Sequence, residues 1–249
     1  MDEMNSIVEK ADQELLLKMV VDSFRRVVVH YGHWFAQVEH QLGMEKAMEI
    51  EKKVWDVSFG NQIGRLGKIL GFEIDNGVPS VLKGMSRETL LDLLEKMGVN
   101  WLANDGIWFQ AVEKEFGMHD AKRCNDTCWT RYSPFEAARI KELLDLPENG
   151  GLPALKKALS FRMYALINKQ SIEDIDENSF IFRMNECRVQ NARKRKGMDD
   201  YPCKSAGLVE YPYFAAAIDP RITTECIGCP PDDHPKEWYC AWKFTLNSV

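Results

Sequence analysis

The chain lacks a long apolar run. Its longest stretch free of Asp, Glu, Lys and Arg is Val27 to Val38, twelve residues, whereas a membrane-spanning helix takes about 20. No membrane partner is expected. An excess of positive charge is also missing: 38 acidic against 32 basic side chains leave a net charge of −6, which argues against duplex nucleic acid as the main partner. Proline and glycine, 10 and 16 residues, are too few for a collagenous or low-complexity chain. The start, Met1-Asp2-Glu3-Met4, lacks the basic segment and apolar run of a secretory signal, so a cytoplasmic protein is expected. With 249 residues the chain is long enough to bury a core.

What is present in unusual measure is cysteine. Seven is an odd count, which argues against a disulfide framework in a cytosolic chain. Cys187, Cys203, Cys226, Cys229 and Cys240 fall in the last 63 residues. Cys124 and Cys128 stand apart, four residues from each other, and replace Ile50 and Val54 of an internal repeat. Substitution for aliphatics predicts buried, inert thiols.

That repeat has an offset of 74 residues. Gly32, Trp34, Phe35, Val38, Glu39, Gly43, Met44 and Ala47 recur as Gly106, Trp108, Phe109, Val112, Glu113, Gly117, Met118 and Ala121, eight identities in 16 positions. The register extends to Trp55 over Trp129 and Arg65 over Arg139. Helical apolar spacing predicts a pair of helices in each copy, with Gly43 and Gly117 at the turns and Ser86 as an N-cap. Aromatic stripes at this spacing read as core.

After the loop at 146–151 the period changes. Ser179–Asn185, Arg221–Thr224 and Trp238–Thr245 read as strands, and Lys204–Ile218 as a helix. The expected fold is α+β: duplicated N-terminal helical hairpins followed by a small antiparallel sheet with a covering helix. The expected organisation is 1–85 for the first hairpin and linker, 86–150 for the second hairpin, and 151–249 for a cysteine-rich α+β domain.

Chemistry is expected in that last third. Cys203 opens the predicted helix, where free backbone N–H groups and the helix dipole favour a thiolate, making it the candidate nucleophile. His234 would be its base, with Asp233 orienting the imidazole. Cys226-Ile227-Gly228-Cys229 is a CxxC able to turn as a metal knuckle, and with Cys187, Cys203 and Cys240 it offers thiolates for zinc or an iron–sulfur cluster. No second CxxC completes a zinc-ribbon signature. The basic run Arg188, Arg193, Lys194, Arg195 and Lys196 reads either as a solvated loop or as a mouth that attracts a carboxylate or phosphate. Arg188, Arg193 and Lys204 are the candidate substrate contacts, and a small anionic molecule the expected partner. A homo-oligomer is compatible with the same sequence.

The pattern from Phe180 onward, with Cys187, a Gly197 turn, Pro202-Cys203-Lys204, Phe214, Asp219-Pro220-Arg221 and Cys240-Ala241-Trp242-Lys243-Phe244, resembles the L-2-amino-thiazoline-4-carboxylate hydrolase family. It also resembles a cysteine-rich bacterial relative of that family and, more distantly, the ligand-binding domain of bacteriochlorophyll 4-vinyl reductases. The resemblance implies a hydrolase opening a C–N bond in a small cyclic amidine-like carboxylate, with Cys187, Cys203 and Cys240 at family positions. The CxxC and the Asp-Asp-His segment depart from that pattern and favour a metal- or redox-responsive binding protein as the alternative.

Overall fold

The computed structural model describes residues 8–247, in two compact units that divide between Gly84 and Met85. The acidic segment Met1–Met4 lies outside the described residues.

The first unit is built on a hairpin of α1 (Gln13–Leu42) and α2 (Met44–Leu70). It closes with the two-residue strands β1 (Ile74–Asp75) and β2 (Val78–Pro79) and the short helix α3 (Ser80–Lys83). The second unit begins with the same hairpin, α4 (Arg87–Phe116) and α5 (Met118–Leu143). Its caps show the duplication atom by atom. Asp12 and Ser86, 74 residues apart, each accept a hydrogen bond from the backbone N–H three residues on. Gly43 and Gly117 both sit at φ +87°, and each donates its N–H to the backbone carbonyl of the glutamate four residues back at 2.8 Å. That backbone region excludes most side chains, which is why glycine recurs there.

The two hairpins differ in what their faces meet. Trp129 is 7% exposed and the equivalent Trp55 is 44% exposed. In the second unit Ala121, Asn125, Trp129, Ser133, Glu136, Ala137 and Ile140 form a buried stripe at helical spacing, because α5 packs along α8 (Lys204–Ile218). Segments 86–150 and 151–249 therefore share one compact unit. Cys124 and Cys128 fall beside this stripe and are exposed, correcting the expectation that they are buried.

The rest of the second unit is α6 (Gly151–Leu159), β3 (Lys169–Asp176), β4 (Ser179–Glu186), α7 (Arg188–Arg195), α8, β5 (Ile222–Gly228) and β6 (Cys240–Leu246). The strands form one antiparallel sheet in the order β3-β4-β6-β5. The α+β class expected from the sequence is the observed one. β3 was not expected: KQSIEDID carries its acids where a half-buried strand would be apolar, and its last five residues are exposed. The basic run is not a loop but α7.

Register explains the core. Phe180 pairs with Phe244, Phe182 with Trp242 and Met184 with Cys240, placing alternate side chains of β4 and β6 on one buried face. The α8 stripe covers them, with Tyr211 stacked on Trp242 at 4.7 Å between ring centres. Gly207 of α8 allows this approach, since a Cβ there would fall within the Trp242 ring.

Candidate functional site

Four of the C-terminal cysteines come together. Cys187 follows β4, Cys203 precedes α8, Cys229 follows β5 and Cys240 opens β6, and all four line one small cavity of about 110 Å³. A hydrogen bond from Lys204 N–H to the Pro230 carbonyl, 2.9 Å, holds the start of α8 against the loop after β5. Cys203 Sγ and Cys229 Sγ are 3.4 Å apart as a result, and Cys229 also hydrogen-bonds Cys240.

These sulfurs are not equivalent. The S–H of Cys229 is the largest influence on Cys203 and holds its pKa below the ordinary thiol value; Lys122 and the Cys203 backbone N–H add to it, against burial and the charge of Glu210. Its hydrogen bonding with Cys203, then with Cys240, and its burial push the Cys229 pKa far up, so that it stays a thiol. Burial pushes Cys187 up to about 12. Cys203 is the one thiol of the group whose pKa is lowered. Its stabilisation comes chiefly from a neighbouring thiol, and the backbone N–H at the helix start, expected from the sequence, makes a smaller contribution. Gln190 adds a second donor, with Nε2 3.6 Å from Cys203 Sγ.

Beneath the chamber lies a buried ionic network. Arg162 donates from Nε to Glu136 at 2.9 Å and from Nη1 to Glu210 at 2.7 Å and to the Tyr164 hydroxyl at 2.6 Å. Tyr164 also hydrogen-bonds Glu210. Tyr164 and Glu210 line the chamber, and burial raises the Tyr164 pKa, so its phenol keeps its proton. Arg162 Nη2 and Trp242 Nε1 are buried donors without a protein partner among the described residues.

A larger cavity, about 780 Å³, adjoins the chamber. Leu102, Asp105, Val189 and Tyr201 line both and form the waist between them. Tyr201 is held there by an edge contact with Phe109 at 5.0 Å, and its hydroxyl meets Lys122 and Asn125 at 3.1 and 3.2 Å. Burial, then the charge of Glu210, raises the pKa of Asp105. Arg188, Arg193 and Arg195 of α7 and Lys196 at its C-cap, with Lys114 of α4, give the outer cavity an excess of positive charge over Asp105 and Glu113. It is a basic vestibule to a sulfur-lined chamber.

The remaining sequence-derived candidates lie elsewhere. Lys204 lines neither cavity and pairs with Asp232 at 2.7 Å. His234 lines neither cavity: its Nε2 faces Asp200 at 3.2 Å, its Nδ1 the Pro235 carbonyl at 2.9 Å, and its ring packs on Tyr239. The carboxylate on His234 is therefore Asp200, and Asp233 is exposed. Cys226 is half-buried on β5 and lines neither cavity. Among the described residues, no three His, Cys, Asp or Glu side chains are grouped to hold a metal ion.

Sequence reasoning missed Gln190, Tyr164, Arg162, Asp105 and Glu210. Only Glu210 left a readable signal, as a carboxylate on the stripe formed by Ala206, Gly207, Tyr211, Phe214 and Ile218, where α8 is otherwise buried and largely apolar.

One family model, described as a family of unknown function (DUF6125), matches the chain twice, over residues 9–86 and 83–246. Two matches to one model fit the internal repeat, and their junction falls where the two compact units divide. No curated protein and no solved structure matches.

Proposed function

The chain belongs to the DUF6125 family of unknown function, and we propose that it is an enzyme acting on small anionic molecules, with Cys203 as nucleophile. One observation carries this reading: Cys203, its pKa lowered, lines a chamber that shares Leu102, Asp105, Val189 and Tyr201 with the cavity lined by basic Arg188 and Arg193. The charge excess attracts a carboxylate and holds it at the mouth. The chamber, by its volume, admits only a small reacting end.

The resemblance to the amino-thiazoline carboxylate hydrolases supplies the substrate class, a small cyclic amidine-like carboxylate. In that reaction Cys203 attacks the amidine carbon and the ring C–N bond breaks. The bonding pair goes to nitrogen, which takes a proton; Asp105, whose raised pKa retains a proton to higher pH, is the donor at the waist. Water then displaces the sulfur and regenerates Cys203. Free thiols at all seven cysteines suit the reducing cytoplasm. Turnover of a cyclic amidine carboxylate by the native chain, lost in Cys203→Ala with the fold retained, is the expected result. Undiminished turnover in that variant overturns the reading.

A second reading rests on the contact of Cys229 with both Cys203 and Cys240. These sulfurs are not grouped to hold a metal ion among the described residues, but a soft metal or an oxidant that drew them together would make the protein a metal- or redox-responsive sensor. Elemental analysis of protein purified without oxygen decides between them. Stoichiometric zinc or iron without turnover favours the sensor.

A further inference from the structure

We propose that Cys203 and Cys229 form a peroxide-reactive pair, in which Cys203 is the sulfur oxidised and Cys229 the thiol that resolves it into a reversible disulfide. The proposal rests on the reading of Cys203 as the reactive sulfur and adds a modification that the C–N chemistry does not need.

The argument is geometric. Cys203 Sγ faces two donors, the Cys229 thiol at 3.4 Å and the Gln190 amide at 3.6 Å. A sulfur held in this way is the one that meets an electrophile first. Cys229 is buried, and its sulfur is already in van der Waals contact with Cys203. Side-chain rotation therefore suffices to join them, with the backbones pinned together through Lys204 N–H and the Pro230 carbonyl. A hydroperoxide is small enough for the chamber, which a bulky oxidant such as a protein disulfide is not.

The steps balance. The Cys203 sulfur attacks the distal oxygen of a hydroperoxide, the O–O bond breaks, and the departing alkoxide or hydroxide takes a proton. Cys203 becomes a sulfenic acid, oxidised by two electrons, and the peroxide is reduced by two. The Cys229 sulfur then attacks Cys203, a disulfide forms, and the hydroxyl leaves with the Cys229 proton as water. Without a resolving thiol in contact, the sulfenic acid would persist and oxidise further to the sulfinic acid. Capture by Cys229 protects the nucleophile and silences it until a dithiol reduces the pair.

The test treats the full-length chain with stoichiometric hydrogen peroxide, blocks remaining thiols with N-ethylmaleimide, and maps peptides without reduction. The expected result is a Cys203–Cys229 disulfide reversed by dithiothreitol, with Cys203 consumed at least about tenfold faster than the exposed Cys124 and Cys128. In Cys229→Ser the disulfide is absent and Cys203 is trapped by dimedone as a sulfenic acid. Mapping of the unaltered chain is decisive even where a variant fails to fold. Consumption of Cys124 and Cys128 while Cys203 and Cys229 stay reduced overturns the proposal. So does a Cys229–Cys240 disulfide that forms equally well in Cys203→Ser. The mapping reads no turnover, so its failure sinks this proposal alone, whereas undiminished turnover in Cys203→Ala sinks the enzymatic reading alone.

Discussion

Gln190 and Tyr201 are closed into a ring by two hydrogen bonds: Tyr201 N–H donates to Gln190 Oε1 at 2.8 Å, and Gln190 Nε2 donates to the Tyr201 carbonyl at 2.9 Å. The amide orientation is fixed, because only the oxygen can accept from a backbone N–H. The second hydrogen on Nε2 is left for Cys203. A fully buried side chain thus ties the vestibule waist to the sulfur chamber.

Removing that donor is expected to change the reactivity of Cys203. Its folded pKa is lowered, so its thiolate persists to lower pH than it does in the unfolded chain. Alkylation by iodoacetamide should reach half its maximal rate at a lower pH in the folded chain than in the unfolded one. In Gln190→Leu the midpoint should rise by about one pH unit. Rate against pH, followed at the Cys203 peptide, checks it, and an unmoved midpoint removes Gln190 from the site.

The basic vestibule should favour negatively charged reagents. Iodoacetate and iodoacetamide differ mainly in charge, and their rate ratio at Cys203 measures the local field. Arg193, which donates from Nε to the Asp199 carbonyl at 2.6 Å, is oriented on the rim. Arg193→Ala should lower the ratio about fivefold at low ionic strength, with the difference shrinking as salt is added.

The ionic network carries stability as well as shape. Arg162 is 2% exposed and neutralises Glu136 and Glu210. Arg162→Met leaves two buried carboxylates unpaired and should cost about 3–5 kcal/mol. Urea unfolding measures it, and a loss below about 1 kcal/mol would mean that water reaches the site freely.

Acid should expose a second linkage. Asp219 accepts from Arg221 and from Gly151 N–H, and these bonds, Arg221 first, hold its pKa down to about 2. The unfolded value is about 3.9, so the stabilisation is complete above that pH and is lost as pH falls through about 2. Asp219→Asn should melt lower than the native chain at pH 7, with the gap closing in acid. A gap constant between neutral pH and pH 2 would contradict the assignment.

Close packing at Gly207 gives a steric test. Gly207→Ala must displace the Trp242 ring, which lines the chamber, and should cost about 1–3 kcal/mol. Gly106→Ala, whose nearest neighbour is the end of the Gln110 side chain at 3.9 Å, should be nearly neutral or stabilising. Equal melting temperatures for the two variants would refute this packing.

The sequence by itself determined the repeat, both hairpin turns, helix α8 and three of the four main strands. These features are periodic or punctuated by glycine, and local backbone preference suffices to place them. It also marked Cys203, Arg188 and Arg193, because position at a helix start and clustered charge are local properties. Other features depended on partners distant in sequence. β3 gains its place by pairing with β4, and Trp129 is buried, unlike its twin Trp55, only because α5 has α8 to pack against. His234 lost its expected role to the geometry of its loop, where Asp200 supplies the carboxylate. The meeting of Cys187, Cys203, Cys229 and Cys240, and the Arg162 network below them, were decided by tertiary structure alone. Sheet register and helix packing set those distances, and neither leaves a spacing in the chain from which they can be read.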